Sequence, residues 1–327
     1  MLRVGLVSRW HVHANEYAAA VKQYQDAEIV AVWDESAVRG KKWAEELGCR
    51  YYGDYNMMLR KADIDAVVIA SPTSLHPSLM IKAAKAGKHI FTEKALSIKL
   101  PDSKKIAAAV KENDCKFVIS FPHKSRPELI FAKNAVESGR LGKITYARVR
   151  NVHNGSSAGW LPDYFYDETL CGGGVMIDLG AHPMYTLEWL LGKPLFVQSL
   201  FTDIMHRGVE DNAVSLIEFE NGATGISETG FVSESNPYTL EISGTEGYLV
   251  IRNSRVEIAD KSTGGRLSEV LDLPEAQALP IFKWMDWCCG KADAPEGLLI
   301  DDAVLLTALT HASYKANKNG DKTYVEF

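Results

Sequence analysis

Short apolar runs alternate with helical patterns over roughly the first third of this 327-residue chain. The runs are rich in β-branched residues and bounded by turn residues, as strands are, and the segments between them have the apolar spacing of helices. Strand–helix alternation on this scale predicts βαβ units, in which a parallel sheet carries helices on both faces. The predicted strands are Arg3–Val7, Glu28–Trp33, Ala66–Ala70, His89–Phe91 and Lys116–Ile119.

The pattern changes after Phe121-Pro122. Between residues 196 and 260, short alternating runs are separated by turn pairs such as Asn221-Gly222, which is typical of an antiparallel sheet. We therefore predict an α/β protein with an N-terminal Rossmann-type, doubly wound parallel sheet, followed by a C-terminal α/β domain with an open, mostly antiparallel sheet. Because one hydrophobic core rarely serves a chain this long, two domains are predicted, 1–121 and 122–327.

Composition and charge exclude several classes of protein. The 42 acidic and 36 basic residues give a net charge of −6, which is too mild for a nucleic-acid-binding surface. No apolar segment approaches the roughly 20 residues of a membrane-spanning helix, and we expect no signal peptide. The five cysteines are odd in number and lack disulfide or zinc spacing. We therefore expect a cytoplasmic protein that binds neither nucleic acid nor membrane.

The turn after the first strand departs from the pattern of a dinucleotide-binding domain. Such a domain has three glycines in this turn and an acid at the end of the second strand. Here the three glycine positions hold Ser8, Trp10 and His13, whereas Asp34 follows the second strand at the expected spacing. A carboxylate there accepts the ribose hydroxyls and repels a 2′-phosphate, so the sequence favours NAD over NADP. An ordinary turn acid is the alternative interpretation of Asp34.

Side chains in this turn offer substitutes for the missing glycine contacts. Ser8, Arg9, Trp10 and His11 are predicted to bind the cofactor, with Arg9 and His11 on the pyrophosphate and Trp10 either displacing the backbone or covering the cofactor. His11 and His13 also suggest a metal pair. Residues two positions apart, however, point to opposite sides of a strand and to roughly opposite sides of a helix, so the pair is poorly placed to bind one metal ion. We therefore predict no metal site.

Two further motifs carry the chemistry. Lys94 follows the strand His89–Phe91, and a glycine-led helix carries Asp178 and His182. Residues four apart share one face of a helix, so the acid and the imidazole are expected side by side. The amides of Gly172–Gly174 are expected to face a ligand at the N-terminus of that helix. A lysine, an acid and a histidine that converge can polarise a hydroxyl and remove its proton, which points to alcohol oxidation or carbonyl reduction.

Several passages occur in a characteristic order along the chain: Asp65–His76, Ala83–Ala95, Ser138–Ile144, the glycine-led helix and Ile242–Gly247. Together they closely resemble the glucose-fructose oxidoreductase / inositol dehydrogenase / rhizopine-catabolism (Gfo/Idh/MocA) family, and the resemblance spans most of the chain. It implies a Rossmann domain followed by an α/β domain whose open sheet often mediates dimers or tetramers. A homodimer or homotetramer is therefore expected.

The same resemblance implies roles for individual residues. It makes Lys94, Asp178 and His182 catalytic and places Glu93 near the nicotinamide ribose. It also places Ser71, Thr73 and His76 along the central part of the cofactor. Without the resemblance, Asp178 and His182 are also compatible with an intrahelical pair, and Lys94 with a solvated strand end.

Substrate contacts are predicted in the polar, aromatic loop before the glycine-led helix and at the domain junction. Aromatic rings beside amide and hydroxyl donors suit a polyol or a sugar ring, although loop packing or a subunit interface explains the tyrosines equally well. The predicted substrate residues are His123, Arg126, His153, Asn154, Trp160, Tyr164, Tyr166, Asp178 and His182.

The sequence thus predicts an NAD-dependent oxidoreductase acting on a secondary hydroxyl or ketone of a small polyhydroxylated substrate: a sugar, an inositol or a sugar derivative. His182 would exchange the hydroxyl proton, Lys94 would stabilise the oxygen, and Asp178 would orient the substrate or favour the charged imidazole. Two alternatives stay open. One is a non-catalytic member of the same fold that binds a dinucleotide or a sugar for regulation, and the other is a redox-neutral enzyme with tightly held NAD.

Overall fold

Short parallel strands form the sheet of the N-terminal half: β1 (Leu2–Val7), β2 (Ala27–Trp33), β3 (Arg50–Tyr51), β4 (Ala66–Ile69), β5 (His89–Thr92) and β6 (Phe117–Ile119). In the computed structural model, which describes residues 1–234 and 238–327, their order is β3-β2-β1-β4-β5-β6. The chain leaves β1 on one side for β2 and β3, then returns to the other edge of β1 for β4 to β6. This doubly wound order confirms the predicted Rossmann sheet.

The central strands of this sheet are buried on both faces, which made them recognisable in the sequence. All four residues of β4 are buried, as expected where helices cover a parallel sheet on both sides. The predicted strands correspond to β1, β2, β4, β5 and β6. The strand β3 was not predicted, because a two-residue strand with one exposed residue is too short to show periodicity.

Helices connect the strands of this sheet, and capping residues mark the ends of some of them. They are α1 (Ala14–Gln23), α2 (Ala37–Leu47), α3 (Tyr55–Lys61), α4 (His76–Lys85) and α5 (Leu100–Glu112). The Ser36 side chain accepts the Arg39 N–H at the start of α2, and Gly48 ends that helix with a φ of 70°. The Asp54 side chain accepts the Met57 N–H at the start of α3. Among the described residues, no side chain caps the N-terminus of α1.

A nine-stranded sheet dominates the remainder: β7 (Ile144–Val152), β8 (Pro194–Thr202), β9 (Asn212–Phe219), β10 (Thr224–Gly230), β11 (Thr239–Gly244), β12 (Tyr248–Arg252), β13 (Arg255–Ala259), β14 (Ser268–Glu269) and β15 (Thr323–Tyr324). The order is β14-β13-β12-β11-β7-β10-β9-β8-β15. Among the described residues, β7 and β10 pair in parallel and the other neighbours pair antiparallel. The predicted open, mostly antiparallel sheet is confirmed.

The helices that follow β6 along the chain are α6 (Pro127–Glu137), α7 (Glu168–Cys171), α8 (Ala181–Leu191), α9 (Pro280–Cys288) and α10 (Ile300–Asn319). The apolar helix α8 packs on β7 and β10, and nine of its residues are buried. Along β9, buried and exposed residues alternate. One face of this strand therefore belongs to the core and the other faces outward.

Two compact units emerge from these packing relations. The first comprises Met1–Ser120 with Ala278–Thr307, and the second comprises Phe121–Gln277 with Ala308–Phe327. The segment Ala278–Thr307 thus groups with the parallel sheet, where α9 packs on β5 and β6. The predicted domain division at residue 121 stays a prediction. No helix within residues 1–234 and 238–327 is long and apolar enough to cross a membrane.

Candidate active site

Four loops at the carboxyl edge of the parallel sheet carry the predicted cofactor residues. Ser8, Asp34 and Glu93 directly follow β1, β2 and β5, and Ser71 follows β4 by two residues. Thr73 begins a 3₁₀ turn after β4, and His76 is the first residue of α4. Doubly wound folds bind their ligands at this edge, beside the strand where the order reverses. The sheet therefore brings these residues to the expected end of the first unit.

The turn after β1 keeps a glycine-like backbone without its glycines. Ser8 has a φ of 70°, in the left-handed region that favours glycine, and its side chain is buried. The Ser8 N–H donates to the carbonyl oxygen of Trp33 (2.7 Å), and the Ser8 hydroxyl oxygen accepts the Trp10 N–H (3.1 Å). The His11 N–H donates to the carbonyl oxygen of Ala70 (2.9 Å). These bonds fasten the turn to β2 and to the end of β4.

The Arg9 side chain contacts α1 and α2. Its Nε atom donates to Asn15 (2.9 Å), and Nη1 donates to Glu46 (2.7 Å). The guanidinium carbon lies 5.8 Å from the ring centroid of Trp43, within cation–π range. Contact between Arg9 and the pyrophosphate stays a prediction, and it requires the guanidinium to leave some of these partners. Trp10 is buried, and its position over or beside a cofactor also stays a prediction.

Asp34 sits at the centre of a set of hydrogen-bond donors. It is buried, and its carboxylate accepts the backbone N–H groups of Arg9 (2.8 Å) and Ser36 (2.7 Å). Arg39 forms a bidentate pair with it, through Nε at 2.9 Å and Nη2 at 2.8 Å. Close packing continues behind the carboxylate, since a Cβ atom at Gly40 would lie 2.6 Å from the Asp34 Cβ. Asp34 is therefore held rigidly at the end of β2.

Glu93 is a buried carboxylate surrounded by donors. It accepts hydrogen bonds from His13 Nδ1 (2.7 Å), from the Tyr17 hydroxyl and from the N–H of Lys94 (2.8 Å). Burial raises the pKa of Glu93, but the charges of His11, His13 and Lys94 outweigh burial and hold that pKa well below its usual value. Conversely, burial lowers the pKa of His13, but the hydrogen bond and the charge of Glu93 raise it overall. Glu93 is thus ionised at neutral pH.

The two histidines of the turn converge instead of diverging. The His11 and His13 ring centroids lie 4.8 Å apart, and their Nδ1 atoms lie 3.7 and 2.7 Å from Oε1 of Glu93. The expectation that residues two apart must point to opposite sides was wrong here. Its premise was a strand or a helix, whereas the segment between β1 and α1 is a turn.

Lys94 is buried, with 6% of its surface exposed, and the Lys94–Ala95 peptide bond is cis. His76 is buried beside this segment. Its Nδ1 atom lies 2.9 Å from the carbonyl oxygen of Ala95, and its Nε2 atom lies 3.1 Å from that of Ser71. His76 thus joins the loop after β4 to the residues after Lys94, and contact between His76 and a cofactor stays a prediction.

The glycine-led segment of the second unit is not the helix that the sequence predicted. Helix α8 begins at Ala181, and residues 172–180 form bends and turns. Asp178 therefore lies before the helix that carries His182, and the argument that the two share one helical face was wrong. The physical reason is that Glu210 takes the N–H groups of Gly174 and Met176. The φ of Gly173, 158°, is not helical, and Gly174 approaches Glu210 so closely that a Cβ atom there would lie 2.1 Å from its carbonyl oxygen.

The backbone amides of this segment bind an internal carboxylate. The N–H groups of Gly174 and Met176 both donate to Oε1 of Glu210 at 3.0 Å, and the Tyr314 hydroxyl donates to the same atom. Burial raises the pKa of Glu210, although these hydrogen bonds act to lower it. The expectation that glycine amides at this place face a ligand was therefore wrong for Gly174, whose N–H is taken by Glu210.

His182 belongs to a compact aromatic cluster in the second unit. Its ring stacks on that of His123, with centroids 4.3 Å apart and planes inclined by 20°. Its Nδ1 atom lies 2.8 Å from the hydroxyl oxygen of Tyr185. Tyr238 meets the His123 ring edge-on at 5.0 Å, and Arg126 lies over Tyr238 at 5.6 Å. Three predicted substrate residues, His123, Arg126 and His182, are thus brought together.

A second cluster gathers predicted substrate residues near the end of β7. The His153 ring lies 4.7 Å from that of Trp160 and stacks on Phe231 at 5.0 Å. Trp160 Nε1 donates to the side-chain oxygen of Asn154 (2.9 Å), while 56% of the Trp160 surface stays exposed. An exposed indole held at its nitrogen offers an apolar face to the C–H side of a sugar ring.

Tyr164 and Tyr166 occupy a 3₁₀ turn, Asp163–Tyr166. The Tyr166 hydroxyl lies 2.7 Å from that of Ser156, and the Arg207 guanidinium lies 4.7 Å from the Tyr166 ring centroid. Tyr164 stacks on Phe165, with centroids 5.1 Å apart. These contacts resemble loop packing, one of the three interpretations that the sequence left open for the tyrosines.

Sequence reasoning missed several residues that hold the site. Tyr17 follows His13 by one helical turn, a spacing that offered a signal, and its ring meets that of His13 edge-on at 6.3 Å. Tyr185 likewise stands on the same helix as His182. Glu210 and Tyr314 are separated from the glycine segment and from each other by long stretches of chain, so a single sequence carries no signal for them.

Comparisons with known proteins match this arrangement over both units. A family model described as an oxidoreductase family with an NAD-binding Rossmann fold matches residues 4–121, and one described as a GFO/IDH/MocA C-terminal domain matches residues 130–250. The scyllo-inositol 2-dehydrogenase (NAD(+)) of Bacillus subtilis (strain 168) is 32% identical over 263 residues, which cover 77% of this chain and 73% of that protein.

A further relative and a solved structure are less similar in sequence. Levoglucosan dehydrogenase of Pseudarthrobacter phenanthrenivorans is 28% identical, with 78% of this chain and 74% of that protein covered. A solved structure of levoglucosan dehydrogenase in complex with NADH and levoglucosan superposes with a TM-score of 0.87 at 22% identity, and all of both chains is covered. At that identity the superposition establishes the fold alone.

Proposed function

Because the chain belongs to the GFO/IDH/MocA family of NAD-binding oxidoreductases, we propose that it transfers hydride between NAD and a secondary hydroxyl or ketone of an inositol, a sugar or a sugar derivative. The observation that carries the substrate class is the identity of 32% to a scyllo-inositol 2-dehydrogenase over most of both chains. The exposed Trp160 ring beside Asn154 supports the same class.

The residues of the first unit fit a dinucleotide. Ser8 holds the turn after β1 in the left-handed conformation, and the N-terminus of α1 follows that turn. Asp34 presents a buried carboxylate at the end of β2, which suits ribose hydroxyls and disfavours a 2′-phosphate. In this proposal Asp34 binds the adenosine ribose, the turn Ser8–His11 and residues Ser71, Thr73 and His76 contact the central part, and Glu93 contacts the nicotinamide ribose.

When bound, the nicotinamide supplies the hydride acceptor or donor. The protein supplies proton transfer and charge. Lys94 donates a hydrogen bond to the reacting oxygen and stabilises the negative charge that develops on it. His182 takes the proton of the hydroxyl during oxidation and returns it during reduction, because an imidazole exchanges protons near neutral pH. Asp178 orients the substrate or favours the charged imidazole.

A substrate panel tests this proposal. The full-length protein is incubated with NAD or NADP and with scyllo-inositol, myo-inositol, levoglucosan and common aldoses, while the absorbance of reduced nicotinamide is followed. We expect reduction of NAD with at least one polyol. We also expect Lys94→Met and His182→Asn each to lower kcat by about 10²- to 10⁴-fold, whereas the exposed control His206→Asn leaves it unchanged.

Two outcomes contradict the proposal at different points. If calorimetric titration detects binding of neither NAD nor NADP, the proposed dehydrogenase activity is wrong. If NAD reduction with an identified substrate is unchanged in both Lys94→Met and His182→Asn, the activity stands but the proposed residue roles are wrong.

We further propose that the chain forms a homodimer or homotetramer through the outward face of its open sheet. Leu200 on β8 and Val214 on β9 are directly paired across the sheet, and both are exposed, as is Leu216. Contiguous exposed apolar side chains are typical of an association surface. Sedimentation velocity tests this: Leu200→Glu is expected to yield monomer, and a wild-type protein that sediments as a monomer contradicts the proposal.

The five free cysteines support a reducing location, and we propose the cytoplasm. Fractionation of the source cells tests this, and recovery outside the cytoplasmic fraction would count against it.

A further inference from the structure

We propose that His11, His13 and Glu93 form a binding site for a divalent transition-metal cation of the zinc type. The site lies entirely within the first unit, in the turn after β1 and directly after β5. It does not depend on the proposed hydride transfer, because only these three side chains and the groups around them hold the cation. His11 and Glu93 are also proposed cofactor contacts, so the cation and the dinucleotide would compete for them.

The ligand atoms are already grouped. One ring nitrogen of each histidine and a carboxylate oxygen of Glu93 all lie within 4.8 Å of one another. The Nδ1–Oε1 distances are 3.7 Å for His11 and 2.7 Å for His13. Zinc bonds of about 2.0–2.2 Å in tetrahedral geometry separate neighbouring ligand atoms by roughly 3.3 Å. The two observed distances lie on either side of that value. His11 Nδ1 accepts the His13 N–H at 3.3 Å, and a cation takes the place of this long hydrogen bond.

The ligand types select the cation. Two imidazoles and one carboxylate form a nitrogen-rich set that suits zinc, cobalt or nickel, whereas magnesium and calcium prefer oxygen alone. Three protein ligands leave a fourth position open for water or for another ligand. Glu93 and His11 are buried and His13 is partly exposed, so a cation has a path from solvent.

Neighbouring groups hold the carboxylate in place for this role. Tyr17 donates to Oε1 of Glu93, and the N–H of Lys94 donates to Oε2 at 2.8 Å. Tyr17 is itself held by a hydrogen bond of 2.9 Å to Ser120. The cation takes the place of the His13 proton at Oε1. Such partners of a ligating carboxylate orient it and strengthen metal binding.

One charge opposes the site. Lys94 is adjacent to Glu93 and acts electrostatically on both Glu93 and His13. A cation must therefore bind against a neighbouring ammonium group and displace a proton from His13. Coordination, which is stronger than the hydrogen bond it replaces, overcomes this for zinc but not for a weakly coordinating ion such as Mg²⁺.

Titration with metal alone tests the proposal. The full-length protein, stripped with a chelator and without nicotinamide, is titrated with Zn²⁺ in a calorimeter and with Co²⁺ in a spectrophotometer. We expect one Zn²⁺ per chain and intense visible Co²⁺ bands, which arise from four- or five-coordinate cobalt and not from the hexaaqua ion. Mg²⁺ is expected not to bind at this site.

Variants assign the site. His13→Asn removes a ligand while retaining a residue suited to the N-cap of α1, and it is expected to weaken Zn²⁺ binding at least tenfold. Tyr17→Phe keeps the ring and is expected to weaken binding by about 10-fold or more. The exposed His206→Asn, a control in the second unit, is expected to bind as wild type does. Wild-type protein without intense Co²⁺ bands, or undiminished Zn²⁺ binding in His13→Asn, would overturn the proposal.

Discussion

The Nδ1 atom of His182 lies 2.8 Å from the hydroxyl oxygen of Tyr185, one turn further along α8. Tyr185 is buried, its ring stacks on Phe121 with centroids 4.3 Å apart, and its oxygen also accepts the N–H of His123 at 3.3 Å. Contacts with Phe121 and His123 thus hold the phenol in position independently of its hydrogen bond to the His182 imidazole. A histidine fixed through one nitrogen presents the other, Nε2, in a defined direction.

Replacing Tyr185 by Phe removes this hydrogen bond but retains the stacked ring. Loss of one neutral hydrogen bond is worth about 1 kcal/mol, so we expect kcat to fall roughly fivefold with KM nearly unchanged. The pH profile of kcat should shift as well, because the bond acts on the nitrogen opposite the proposed proton-transfer site. Tyr146→Phe on β7 serves as the control. A wild-type pH profile in Tyr185→Phe would show that the tyrosine has a packing role only.

The bidentate Asp34–Arg39 pair predicts the outcome of a cofactor switch. In Asp34→Ser the repulsion of a 2′-phosphate is lost, and the Arg39 guanidinium, which keeps Glu35 as a partner, loses its bidentate bond to Asp34 and can bind the phosphate. We expect the ratio of kcat/KM for NADP to kcat/KM for NAD to rise at least tenfold. A tenfold rise corresponds to a free-energy difference of ~1.4 kcal/mol. Adding Arg39→Gln should abolish the gain. An unchanged ratio in Asp34→Ser would mean that Asp34 is an ordinary turn acid.

Close approach at Gly174 predicts a loss of stability on a minimal substitution. A Cβ atom there would lie 2.1 Å from a backbone oxygen, that of Glu210, which cannot swing away as a side chain does. We expect Gly174→Ala to lower the free energy of unfolding by about 2 kcal/mol or more, as overpacking does. At Gly53 a Cβ atom would meet its nearest described neighbour, Tyr51, at 3.9 Å. Denaturant titration should find Gly53→Ala close to wild type, and equal stabilities would refute the close contact.

Glu210 predicts a pH dependence with a definite sign. Burial raises its folded-state pKa above the ordinary 4.5, so the unfolded chain loses this proton first as the pH rises. Stability from this group is therefore fully present below pH 4.5 and is lost as the pH rises through the raised pKa. Relative to Glu210→Gln, which does not titrate, wild type should lose unfolding free energy over that range. A pH-independent difference between the two in denaturant titrations would contradict the raised pKa.

The parallel sheet was readable from the sequence because its strands are covered on both faces. Burial of both faces turns a strand such as β4 into a continuous apolar run, which stands out between amphipathic helices. The edge strand β3 lacked that signal because it has two residues. Asp34 was found for a similar reason, since its position is set locally by the end of β2.

The glycine segment shows where local reasoning failed. Spacing alone put Asp178 and His182 on one helix, but the helix begins only at Ala181. The reason is distant in sequence: Glu210 binds the amides of Gly174 and Met176 and holds the segment as turns. Helical spacing cannot reveal that a hydrogen-bond acceptor in a distant loop, here Glu210 between β8 and β9, competes for the backbone N–H groups.

The sequence by itself determined the class of fold, the family and the identity of the chemical groups, because burial patterns and short motifs are local properties of the chain. Only the tertiary structure decided how the glycine-poor turn is used. Its backbone is held by β2 and β4, and its two histidines converge on Glu93, which lies 80 residues after His13. A side-chain direction within a turn depends on what packs against it, and that information becomes available only when β1 and β5 are placed in one sheet.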